Sequence, residues 1–225
     1  LRSPAWHAYG ELGTDFFEAL WTAGSTLDAR EKCLSNGDPL AIALGEALEL
    51  RQGGESLPIA ERHLLTAFLA YLSRIFGKLS GSGSKTALEV MGRSVDLWNI
   101  GIWFRRNQES GKGSHEIISF LPYGKWLSLH RLETAPSARA LVEGTPWIRE
   151  IPGSALEGQS AMALQGEFNR AFWRWQSSLY RRNLLGFEVA VSYLSRLLLE
   201  WQNLNILAVG LALGHPSTEI SRRLI

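Results

Sequence analysis

Apolar positions recur at i, i+3 and i+4 along most of the chain, and no stretch alternates with a period of two long enough for a strand. Leu1 to Gly13 lacks periodicity and reads as a linker or a broken end. Asp15 with Glu18 three residues on forms a capping-box pattern for a face of Phe16, Phe17, Leu20 and Trp21. Ser25 or Thr26 starts a second short helix running towards Leu34. After the turn cluster Asn36-Gly37-Asp38-Pro39, Leu40, Ala43, Leu44, Ala47 and Leu48 predict a helix over Pro39–Leu50. Pro58 opens a long helix, at a first-turn position where a missing N–H costs nothing. Its stripe is Leu64, Leu65, Phe68, Leu69, Leu72, Ile75, Phe76 and Leu79. Gly81-Ser82-Gly83-Ser84 predicts a break, followed by a second long helix from Lys85 to Gln108. So short a connection predicts an antiparallel pair. Gly111–Gly113 is a turn, and Ser114 caps a short helix with Ile117, Ile118 and Leu121, stopped by Pro122 and Gly124.

The second half repeats the first without the Pro39–Leu50 segment. A helix over Leu132–Glu143 is broken near Pro136. Thr145-Pro146-Trp147 starts another turn of helix, and Pro152–Gly158 reads as a loop. Met162–Arg182 is the first long helix, with Leu164, Phe168, Phe172, Trp175 and Leu179 on one face. Leu184–Glu188 is its turn and Phe187–Leu213 the second long helix; Gly214-His215-Pro216 follows, then a short helix capped by Ser217. The pattern predicts an all-α chain of two similar units, over 1–125 and 126–225, each a long antiparallel hairpin flanked by short helices.

The repeat is sharpest at one place. Asp96-Leu97-Trp98-Asn99-Ile100 is followed by Gly111, Ser114, Glu116, Ile117 and Leu121. Glu200-Trp201-Gln202-Asn203-Leu204 is followed by Gly214, Ser217, Glu219, Ile220 and Leu224. Acid and amide recur at an offset of 104 residues and the later positions at 103; a period kept through a helix and the turn after it marks two copies of one unit. Asp96 and Asn99 share a helix face, as do Glu200 and Asn203. Set among apolar residues, both pairs are expected to be partly buried and to need hydrogen-bond partners, since an unpaired buried polar group costs about 1–3 kcal/mol. Unpaired N–H groups at neighbouring short helices would serve, so each pair is expected to clamp short helices to its own hairpin. With one acid per copy, a catalytic carboxylate pair is not built.

Composition narrows function rather than fold. The 225 residues are 45% apolar and 20% charged, with a formal net charge of +1. That balance points to no nucleic-acid partner, which a basic excess would mark. Cys33 is the single cysteine, so the chain has no internal disulfide and no thiolate metal cluster, and a reducing compartment is favoured. The histidines (His7, His63, His115, His130 and His215) are not spaced as paired ligands. Ser82-Gly83-Ser84-Lys85-Thr86 misses the phosphate-loop pattern, with Ser84 where Gly must precede Lys. No catalytic residue, cofactor or metal is expected. Trp201 to Leu213 carries Gln202, Asn203 and Asn205 and does not span a bilayer. Nine tryptophans suit a core or a protein interface.

These residues carry a family resemblance. Each acid, amide and aliphatic triplet, with its turn and Glu-Ile helix, resembles the repeat of the C-type central-stalk protein of the archaeal and bacterial A/V-type ATP synthases, a family that includes the d-type stalk protein of the eukaryotic V-ATPase. Arg105 and Arg106 behind Asp96-Leu97-Trp98-Asn99-Ile100 fit that pattern. Leu121-Pro122-Tyr123-Gly124-Lys125 resembles the link between repeats, and Leu141 to Trp147 the short helix that opens one. The resemblance runs from about Asp15 to Ile225. It implies three repeats where two are seen, so with the chain beginning at Leu1 the N-terminal repeat is expected to be missing. Asn205 and Val209 stand where the family commonly has basic residues.

The resemblance implies a funnel of helical domains without an active site. Its place would be peripheral, on the cytoplasmic face of a proteolipid ring that carries protons or sodium. There it would receive the foot of the central stalk and couple ring rotation to the shaft. Arg105, Arg106, Arg222 and Arg223, with Arg181 and Arg182, lie at helix ends, where the dipole favours cations, and are candidates for contact with acidic partner surfaces. The rival function is a generic helical-repeat adaptor presenting a groove to another partner.

Overall fold

The computed structural model describes residues 12–79, 81–109, 119–158 and 160–224. All regular structure among them is helical, and none is strand. The chain divides into two compact units. One comprises Leu1–Ile75 with Ser114–Leu121, the other Phe76–Gly113 with Pro122–Ile225.

The first unit opens with α1 (Thr14–Trp21), α2 (Thr26–Asn36) and α3 (Pro39–Gln52). Ser25 accepts the Asp28 N–H and caps α2, while Asp38 accepts those of Leu40 and Ala41 and caps α3. These side chains satisfy amides that a helix start leaves without partners. Asp15 does not cap α1: Gly13 stands at the cap and Asp15 lies inside the first turn. Phe16, Cys33 and Ala41 form the centre of the core, with Leu12, Phe17, Leu20, Leu44 and Leu48 around them. Gly45 lets α3 settle on α2, because a Cβ there would stand 2.9 Å from Leu34 Cδ2. Then comes α4 (Leu57–Lys78), with the boundary between the units falling within it, after Ile75. Its stripe is less buried than the pattern suggests: Leu69 is buried but Phe68 is exposed.

The second unit is built on α5 (Gly81–Glu109). The Gly/Ser run expected as a break lies inside this helix. Only the entry at Gly81, with φ +68°, uses the freedom of glycine. The short helix expected from Ser114 falls largely outside the described residues. Beyond Pro122, an irregular linker leads to α6 (Leu129–Thr134), capped by Ser128, and α7 (Ala138–Val142), capped by Ser137. The break near Pro136 separates the two. Next are α8 (Trp147–Glu150) and α9 (Gly153–Gly158), the latter where the sequence reads as a loop.

The long helix expected over Met162–Arg182 is shorter. It runs as α10 (Ala161–Ser177), then gives way to a 3₁₀ turn at Leu179–Arg181. α11 (Phe187–Ala212) turns back along α10: the Ser192 hydroxyl and Arg196 both donate to the Ser177 carbonyl. α12 (Ser217–Arg223) begins after Pro216 without a side-chain cap, so Ser217 is its first residue rather than its cap. Ile220 seats it on Gly210 of α11, where a Cβ would come within 2.7 Å of Ile220 Cγ1. The core where α10 crosses α5 is aromatic. Phe168 packs against Trp147 with ring centroids 5.6 Å apart, and against Phe104 at 6.2 Å.

Candidate functional site

Asp96 sits midway along α5, fully buried, with Asn99 buried one turn on. Its carboxylate accepts two consecutive backbone N–H groups from the linker, Trp126 to Oδ2 at 2.9 Å and Leu127 to Oδ1 at 3.2 Å. The Lys125 N–H donates to the Gly92 carbonyl at 3.2 Å. The partners are therefore linker amides just ahead of α6, not the first-turn amides of a short helix.

Two glycines permit the approach. A Cβ on Gly92 would stand 2.9 Å from Lys125 Cβ, and one on Gly124 would stand 2.6 Å from Asp96 Oδ1. Tyr123, between Pro122 and Gly124, holds φ +72°, a left-handed conformation that a non-glycine residue adopts at a cost. Such strain persists where the surroundings over-determine the backbone, here by the bonds to Asp96 and Gly92.

Burial pushes the Asp96 carboxyl up to about 6. The N–H bonds of Trp126 and Leu127 pull the other way and only partly offset the loss of water. The Trp147 indole N–H also bears on this carboxylate, at a geometry short of a formed hydrogen bond.

One turn before Asp96, Arg93 is 2% exposed. Its guanidinium forks onto Glu150, at 3.2 and 3.0 Å. It also lies over Trp175 at 4.1 Å and Trp147 at 5.1 Å. Arg182 reaches the same Trp175 ring at 5.8 Å and pairs with Glu89 at 2.7 Å. Sequence reading passed over Arg93, although it shares the face of Asp96 and lies in an apolar run. A second buried contact ties the starts of the two long helices: Thr86 of α5 donates to Glu188 of α11 at 2.8 Å. The Glu188 carboxyl is held below its usual range by its own backbone N–H, then by the Thr86 hydroxyl.

The counterpart pair on α11 is different. Glu200 is exposed, where partial burial was expected, and Asn203 is half-buried. Glu200 has no hydrogen-bond or ion-pair partner among the described residues. It lines an open groove of about 340 Å³ with Arg196, Leu199, Asn203, Leu204, Leu207 and Leu224. Leu197, Leu198 and Leu204 of α11 stand exposed beside Trp201.

Of the arginines singled out, Arg105 and Arg223 line one recess of about 840 Å³, together with Gly101, Gln165 and Arg170. Arg105 is exposed, and Arg223 pairs with Glu219 one turn back at 2.6 Å. Arg106 is exposed at the end of α5, and the Arg222 side chain lies outside the described residues. Among the described residues, no group of His, Cys, Asp and Glu side chains could hold a metal ion. No helix among them is long and apolar enough to cross a membrane.

The family model described as ATP synthase (C/AC39) subunit matches residues 3–223. No curated protein matches the chain.

Proposed function

We propose a rotor-coupling role for this chain, which belongs to the ATP synthase (C/AC39) subunit family. In this reading it is a non-catalytic central-stalk part of an A/V-type rotary ATPase or ATP synthase. It links a proton- or sodium-carrying proteolipid ring to the rotor shaft, peripherally at the cytoplasmic membrane surface. Family membership supports a rotary complex, and the exposed apolar side of α11 supports a part made to be covered by partners. Leu194, Leu197, Leu198, Trp201, Leu204 and Leu211 are all exposed along that helix. A contiguous apolar surface of this kind marks an interaction site. Coupling torque asks for stiff helices and broad contacts, and the buried polar groups described above tie the second unit together internally.

The arginines give the reading a test. Membranes carrying the complex are solubilised, and the tagged chain is recovered with its partners. Ring proteolipid and the other central-stalk proteins should co-purify. Charge reversal at Arg105 and Arg106 should reduce their recovery several-fold while leaving the melting temperature of the isolated chain within about 2 °C, as expected for exposed substitutions. Recovery of neither ring nor stalk overturns the proposal. Recovery of some other partner set in their place would favour the helical-repeat adaptor.

A further inference from the structure

The turn that joins the 3₁₀ segment to α11 holds two leucines out in solvent. Leu185 is 99% exposed and Leu184 70%, and Phe187 at the start of α11 is exposed as well. The turn itself is held firmly. Asn183 accepts the Leu185 N–H and donates to Ser82 at the start of α5, and a Cβ on Gly186 would overlap the Asn183 amide. A Cβ on Gly83 would rest against Phe187. The polar atoms of the turn thus face α5, and the leucines project outwards at this end of the second unit. Side chains so exposed bury almost no area on folding, so packing within the unit does not account for them.

The charge beside the pair is of one sign. Residues 81–87 and 178–187, which meet here, carry Lys85, Arg181 and Arg182 and no acid. All three cations are exposed. Arg182 pairs with Glu89 and Arg181 donates to the Tyr180 hydroxyl, so both are held beside the turn. The next acid along the chain, Glu188, is buried and accepts from Thr86. We propose that this turn is a lipid-binding tip: Leu184 and Leu185 enter the acyl edge of an anionic bilayer, while Lys85, Arg181 and Arg182 stay at the level of its phosphates. Leucine with basic residues is the chemistry of an interfacial anchor, and anionic headgroups attract such cations. Long basic side chains also lay their stems on apolar surface while the charge stays in water. A protein partner would need a cavity shaped to two protruding leucines, whereas a fluid bilayer takes them without a matching shape. No helix among the described residues is long and apolar enough to cross a membrane, so the contact is limited to the tip. The tip gives the membrane-surface placement proposed above a lipid contact of its own, and it is tested with lipid alone.

The full chain is floated with vesicles of phosphatidylcholine, with or without phosphatidylglycerol, and circular dichroism checks folding. Wild type should float with the anionic vesicles. Leu184→Ser combined with Leu185→Ser should weaken binding about tenfold or more, and both positions lie outside the core, so the fold is kept. Arg181→Gln should weaken binding to anionic vesicles several-fold, as should added salt. Met162→Ser removes an exposed apolar side chain at the far end of α10 and should leave binding unchanged. Absence of flotation with anionic vesicles overturns the proposal. So does flotation that the leucine substitutions leave intact, or that Met162→Ser reduces as much. Leucine variants that float like wild type but lose ring proteolipid from solubilised membranes would make the tip a protein contact instead. Flotation as expected, without recovery of ring or stalk, would remove the rotary reading and leave the lipid tip standing.

Discussion

The Asp96 carboxyl makes the second unit's stability depend on pH, with a sign opposite to that of most paired acids. Its ordinary value is 3.8 and burial raises it to about 6 in the folded chain. The folded state therefore holds a proton that the unfolded state releases first. Below pH 3.8 both states are protonated and the contribution is fully present. As pH climbs it is lost, and the loss is complete once the folded carboxyl ionises above about 6. At about 1.4 kcal/mol for each pH unit between those values, the swing is about 3 kcal/mol. Asp96→Asn keeps the shape and removes the titration. Urea unfolding of both proteins, followed by tryptophan fluorescence from pH 4 to 8, should show wild type losing about 3 kcal/mol against the variant between pH 4 and 6, then running parallel. Other acids, including Glu188, titrate equally in both proteins and cancel in the difference. Curves parallel throughout would refute the assignment to burial. A wild type that gained stability relative to the variant over this window would show that the Trp126 and Leu127 amides outweigh desolvation.

The two copies should respond differently to truncation. Asp96→Ala strips two amides of their acceptor, at about 1–3 kcal/mol each, whereas Glu200→Ala should change unfolding free energy by less than about 0.5 kcal/mol; equal losses in thermal melts would contradict the contrast. Gly124→Ala drives a Cβ into the Asp96 oxygen and should cost about 1–3 kcal/mol through overpacking, read as a lowered melting temperature and faster amide exchange at Trp126 and Leu127. Arg93→Lys keeps the charge but loses the fork onto Glu150 and the guanidinium's contacts over Trp147 and Trp175. A loss of about 2 kcal/mol is expected, with a red shift in tryptophan emission as water enters; unchanged stability and emission would argue that the charge alone matters there.

Helix content and the family were legible in the order of apolar, small and polar residues, because each is a local or periodic property of the chain. Most long helices could be read off their stripes, and Ser25 and Asp38 were legible as caps or turn residues. Where helices stop was less legible. Gly81-Ser82-Gly83-Ser84 has a low helical propensity, yet it lies inside α5, where Thr86 reaches Glu188 across to α11. α9 formed where Pro152 and Gly153 suggested a loop, since proline suits a helix start and the segment buries Ala155 and Leu156.

The motif at Asp96 and Glu200 marks the division most clearly. Sequence alone determined that an acid and an amide share a helix face twice, at an offset of 104 residues. It could not determine which copy would be buried, since burial depends on what another part of the chain lays over the helix. Gly92 and Gly124 let the linker come down onto α5, and its amides close over Asp96. On α11, Arg196 stands in place of the glycine, no described segment covers Glu200, and the groove remains open.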